Sequence, residues 1–177
     1  GASRELGDFL WPLPPRARVT CAWVAASMVL PIWETWAVGH SYADWFAPRR
    51  VLARVEDDLR VGSAARWDDQ LYDRLVQACQ TASDGAAHAA AAAARSASNL
   101  YRAANARLFS YRGKSAFSSE ALAAAAVDEG CNAFDEAYSR ASHGAEYRDL
   151  RNRWFRRWWD RCRCRLAIAD IRRVEFD

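Results

Sequence analysis

Residues 86–94 read AAHAAAAAA, and the helical pattern continues through RSASNLYRAANARLF to Phe109. Alanine is the best helix former, since its side chain loses no rotamer entropy on folding. A helix of ~24 residues would span ~36 Å. Its surface would offer little but methyl groups, which let neighbouring helices come close. The segment therefore predicts a long central helix inside an all-α fold. The chain carries no alternating strand pattern and no internal repeat.

The flanking sequence predicts five further helices. Trp11, Pro12, Pro14 and Pro15 read as part of an extended arm over residues 1–15, because proline biases its predecessor away from helix. A helix over 16–36 follows, kinked or divided at Pro31 and ended by Gly39 and Ser41. The next covers 48–60, with Val51, Leu52, Val55 and Leu59 on one face and Arg54/Asp58 and Glu56/Arg60 at i,i+4 spacing. Gly62 stops it, and Ser63 caps a helix over 64–82 whose apolar stripe is Trp67, Leu71, Leu75, Ala78 and Ala82. Asp84-Gly85 opens the alanine-rich helix. After a turn at 111–115, Ser118 or Ser119 caps a helix reaching Ser142, and Gly144 precedes the last. The expected architecture is a single-domain antiparallel bundle of about six helices over residues 16–177, joined by short loops.

Composition supports a core of this size. At 177 residues, with nine Trp, seven Phe and six Tyr, the chain suits one domain. The net charge is only +3, and every basic residue except Lys114 is arginine. Cys21, Cys79, Cys131, Cys162 and Cys164 are odd in number and lack CxxC spacing, which points to reduced thiols in a cytoplasmic protein. The uncharged run 19–33, interrupted by Pro31, falls short of the ~20 residues of a spanning helix. It reads as a buried helix, with no membrane association. No secretory signal is recognisable.

Three polar constellations are candidate sites. Between Arg148 and Arg173 stand ten arginines against Asp149, Asp160 and Asp170, a local charge of +7 that leaves −4 for the rest of the chain. Arginines interleaved with aromatics can neutralise phosphates and stack bases. In helical projection, however, Trp154, Phe155, Trp158, Trp159, Cys162 and Leu166 fall within an arc of roughly 140°. Arg153, Arg156, Arg157, Arg161 and Arg163 lie opposite, so the aromatics dock and the arginines face solvent. Nucleic-acid binding through Arg153, Arg156, Arg157 and Arg161 is the second functional reading.

On the helix before it, Asp128, Glu129, Asn132, Asp135 and Glu136 gather on the side opposite Val127, Cys131, Phe134 and Tyr138. Together with Asp69 and Asp73, the carboxylates of Asp128, Glu129, Asp135 and Glu136 form outward acidic faces able to receive a basic protein. In the alanine-rich helix, His88, Arg95, Asn99 and Arg102 stack along one line. Such a line is either a strip that meets water, a polar groove in which the two arginines hold a carboxylate or phosphate, or a buried network.

Enzymatic signatures are absent. His40, His88 and His143 lack metal-ligand spacing, Cys162 and Cys164 project about 200° apart on a helix, and no phosphate loop or nucleophile elbow occurs. No cofactor, metal or catalytic residue is expected.

The segment CAWVAASMVLPIWE, residues 21–34, followed by a helix and then by AAHAAAAAARSASNLYRAANA, residues 86–106, resembles the alanine-rich all-helical immunity proteins of bacterial toxin systems. The resemblance covers roughly the first 110 residues and leaves the Arg/Trp-rich segment 148–165 unmatched. It implies a non-catalytic protein that binds and neutralises a cognate toxin, and it transfers no binding residue.

Overall fold

The computed structural model describes residues 2–61, 68–105, 119–138 and 145–175, and among them there are eight helices and no strand. They are α1 (Ala2–Leu10), α2 (Pro15–Gly39), α3 (Ala47–Val61), α4 (Asp69–Thr81), α5 (Gly85–Ala104), α6 (Ser119–Tyr138), α7 (Ala145–Arg163) and α8 (Ile168–Glu175). The expectations at Gly62, Ser63 and Trp67, for the turn at 111–115, at Ser118, Ser142 and Gly144, and for 106–109 lie outside the described residues.

The count of about six is corrected to eight by a helix at each end. Residues 2–10 are helical, not extended, because the prolines act on positions 11–14 and leave the preceding segment free. Leu6, Phe9, Leu10 and Leu13 follow helix-like spacing, and Leu10 and Leu13 are fully buried. Arg18 fastens the connection to α2, donating from Nε to the Leu10 carbonyl (3.1 Å) and from Nη2 to that of Trp11 (2.6 Å). At the other end the chain leaves helix after Arg163 and re-enters it at Ile168.

Helix α5 is the core. It packs against α2, α3, α4 and α6, and Ala87, Ala90, Ala91, Ala93, Ala94 and Ala97 are inaccessible to solvent. Ser98, equally buried, bonds its hydroxyl to the Ala94 carbonyl (2.7 Å), so a polar group enters the methyl stripe without an unmet donor. Asp84 caps the helix, accepting from the Ala87 amide (3.0 Å), and Asp68 caps α4 through Leu71 (3.0 Å).

Helix α2 is longer than expected. Pro31 lies at an exposed position and does not divide it. There the Ser27 carbonyl, which loses its amide partner, can turn to water. The resulting 25 residues are long and apolar enough to cross a membrane by length and composition, which corrects the expectation of a run too short to do so. More than half of that apolar window is buried, against neighbours that include α3, α5, α6 and α7. Gly39 ends the helix and Ser41 follows in a left-handed conformation, φ 53°.

Tryptophans fasten the periphery. The indole N–H groups of Trp23, Trp33 and Trp158 donate to the backbone carbonyls of Leu52 (2.8 Å), Trp45 (2.8 Å) and Cys21 (2.9 Å). Each ring thus buries apolar area and satisfies its one donor on another segment. In α3, the expected Glu56/Arg60 pair is replaced by Arg60 on Asp57 (3.2 Å). Asp58 turns inward instead, 4 % exposed, where the Tyr101 hydroxyl bonds to it. Burial, and secondarily that carboxylate, push the Tyr101 phenol up to about 12.

Candidate functional site

The acidic residues of α6 divide between interior and surface. Asp135 is 6 % exposed and pairs with Arg151 of α7 (2.9 Å), whose guanidinium also donates to Asn132 (3.1 Å). Glu129 is half-buried and accepts from the Ser96 hydroxyl of α5 (3.1 Å). Burial raises its carboxyl above the usual range. The Ser96 bond and the charges of His88 and Arg95 oppose that rise, and Asp128 adds to it. Asp128 is itself half-buried. Glu136 is exposed, with its carboxylate over Gly85 at the start of α5, where the helix end carries partial positive charge.

The expectation that these carboxylates look outward is therefore corrected for Asp128, Glu129 and Asp135. Helix α6 has neighbours on several sides, α1, α2, α5 and α7, so its polar stripe meets protein. Asp69 and Asp73 on α4 are exposed, as expected.

The polar line of α5 lies against α4 and α6. His88 places Nδ1 2.7 Å from the Cys79 carbonyl. The Tyr72 hydroxyl donates to Asn99 Oδ1, and the Arg102 guanidinium lies over the Tyr72 ring, 4.5 Å from its centroid. The carboxylate within the fields of His88 and Arg95 is the chain's own Glu129. Neither a plain water-facing strip nor a vacant groove describes this line. It is a half-exposed seam joining three helices.

Helix α7 follows its projection closely. Trp154, Trp158 and Cys162 are buried, Phe155 and Trp159 are half-buried, and Arg153, Arg156, Arg157 and Arg161 are exposed. Among the described residues, the one of these four arginines with a hydrogen bond is Arg153, whose Nε reaches the Asp149 carbonyl at 3.4 Å.

Sequence reasoning missed a cleft of about 510 Å³ between α1 and α7. Leu6, Phe9, Phe155, Trp158 and Trp159 give it an apolar lining, with Phe9 edge-on to Trp159 at 5.0 Å between centroids. Arg148, Arg151, Asn152 and Arg156 of α7 line it as well, together with the carboxylates of Glu5 and Asp160. The available signal was the apolar spacing Leu6, Phe9, Leu10, obscured by the prolines after it. The volume is in the range of small-ligand sites.

Thiol chemistry finds little support. Cys21, Cys79, Cys131 and Cys162 are buried and Cys164 is exposed, all of them free. Burial raises the Cys79 and Cys131 thiols to about 12 each and raises that of Cys162 too, which leaves little nucleophilic thiolate on these three. Among the described residues no group of three or more His, Cys, Asp or Glu side chains could hold a metal ion. Comparison with protein families, with curated proteins and with solved structures finds no match to this chain.

Proposed function

We propose that this protein is a non-catalytic, cytoplasmic protein-binding module, a single-domain antiparallel bundle without cofactor or membrane association. The resemblance of residues 21–34 and 86–106 supports a specific form of that role: an immunity protein that binds and neutralises a bacterial toxin. The observation that carries the binding role is the contrast in charge use between α6 and α7. Asp135 and Glu129 of α6 are engaged by Arg151 and Ser96 within the fold, whereas Arg153, Arg156, Arg157 and Arg161 are exposed and form no ion pair among the described residues. An exposed row of guanidinium groups on a rigid, docked helix suits carboxylates of an acidic partner surface, setting encounter rate and specificity. Asp69 and Asp73 on α4 and Glu136 on α6 remain as exposed carboxylates for basic groups of the same partner.

Nucleic-acid binding by the same arginines is the second reading. Their exposure favours it, but Trp154 and Trp158 are buried beneath them and offer no base-stacking platform. The test pairs the protein with the product of the adjacent gene and with duplex DNA and RNA. A variant carrying Arg153→Glu, Arg157→Glu and Arg161→Glu is compared with one carrying Asp69→Lys and Asp73→Lys. The proposal expects a stable protein complex weakened by arginine reversal. Binding to nucleic acid that falls steeply with salt, with no protein complex, would replace it by the second reading.

A further inference from the structure

We infer that α8 is a displaceable cover: through Glu175 it holds, within the chain, a carboxylate site of Trp159 and Arg163 that an acidic segment of the protein partner takes over. The inference rests on the reading of α7 as the partner face and adds a site outside the four arginines named there.

The site is defined by what occupies it. One oxygen of Glu175, Oε1, accepts from both the Trp159 indole N–H (3.0 Å) and Arg163 Nε (2.9 Å). Two donors from successive turns of α7 thus converge on a single carboxylate oxygen, a charge-assisted arrangement. The occupant is weakly held. No residue of α8 is fully buried, Val174 is packed only partly against the core, and no other described helix packs along α8 at length. Arg163 stays about half-exposed beneath the clasp.

Charge selects an acidic occupant here. Residues 153–163 carry five arginines against one carboxylate, Asp160. Arg156 and Arg163 lie two helical turns apart, ~10 Å along the axis of α7 and within ~20° of each other in projection. A partner segment presenting two carboxylates at that separation, one with an apolar neighbour as Val174 is to Glu175, engages both. Glu175 competes with it for Arg163, so the partner's apparent affinity scales with the fraction of molecules whose site is open.

Fluorescence anisotropy on the full chain with labelled decaglutamate at low salt tests this. A clasp of one surface ion pair and one indole bond is easily broken, so Glu175→Ala should tighten decaglutamate about two- to fivefold. Arg163→Ala, at an exposed position, should remove that gain, so that it binds no differently from the double variant Arg163→Ala with Glu175→Ala. That pattern supports the cover. Affinity unchanged by Glu175→Ala overturns it, as does a gain that persists without Arg163, which would be the general effect of removing one negative charge. Absence of decaglutamate binding by both the wild type and Glu175→Ala overturns it too. The partner reading fails separately, on the complex with the adjacent gene's product and its response to reversal of Arg153, Arg157 and Arg161.

Discussion

Helices α5 and α7 are both seated in this fold, yet by opposite means. Along α5 the buried side chains are mostly alanine, so the neighbouring backbones come close and stability comes from many small contacts with no spare volume. On α7 burial is concentrated in Trp154, Trp158 and Cys162, and the backbone stands further off behind large rings. The methyl interface is intolerant of added atoms and the aromatic one of removed atoms. The same distinction shapes the surface: the methyl-lined helix is closely packed, while a cleft lies beside the ring-spaced one.

The largest expected effect tests the aromatic side of that comparison. Trp158→Ala should lower stability by ~3–5 kcal/mol in denaturant unfolding, since the buried ring and its bond to the Cys21 carbonyl are both lost. Arg157→Ala, on the outer face of the same helix, should change it by less than ~0.5 kcal/mol. Similar small values for both would mean that α7 is not held by its rings. On the methyl side, Ala94→Leu should cost ~1–3 kcal/mol through overpacking. A neutral result there would show slack between α5 and its neighbours.

Two glycines sharpen the contrast at lower cost. A Cβ on Gly130 of α6 would meet the Trp154 ring at 3.1 Å and the Ala25 carbonyl oxygen at 3.2 Å, neither able to yield easily. Gly7 of α1 has nothing within 4 Å of that position. Gly7→Ala should therefore stabilise by ~0.5–1 kcal/mol, the usual helix-interior gain, and Gly130→Ala should not. Equal gains at both sites would place Trp154 further from α6 than described.

The smallest effect concerns the α5–α6 seam. Because the Glu129 carboxyl is raised in the folded state, its ionised form is the disfavoured one there. The sign follows: folding draws stability from this group below its unfolded value of ~4.3 relative to higher pH, and loses it as pH rises through the folded value. Glu129→Gln, which still accepts from Ser96, should raise the melting temperature at neutral pH, and the gain should vanish near pH ~4. A pH-independent difference between the two proteins would remove titration of Glu129 as its cause.

Much of the fold was legible because periodicity reports directly on a single helix. The segregation of Trp154 and Trp158 from Arg153, Arg156, Arg157 and Arg161 was read from spacing and is found in the structure. Asp84 marked the start of α5 for the same reason. What spacing could not report is the number of neighbours a helix has. Projection placed Asp135 opposite the apolar stripe of α6, but a second partner, Arg151 of α7, occupies that side. The cleft was hidden for a related reason, since it belongs to two segments 139 or more residues apart, one of them masked by prolines. Helix α8 gave little sign because it contributes no buried residue.

Helix α8 is instead clasped to α7 by the Glu175 side chain, with Val174 packed partly against the core. The carboxylate of Glu175 accepts from the Trp159 indole (3.0 Å) and from Arg163 Nε (2.9 Å). A segment held by a polar clasp and by the half-buried Val174, with no fully buried residue, opens with little new surface exposed. Amide hydrogen exchange in α8 should then be fast and nearly independent of denaturant, proceeding by local opening, while α5 amides exchange only through global unfolding. The last described helix is in this sense a separate cooperative unit, able to leave and return without the bundle registering its absence.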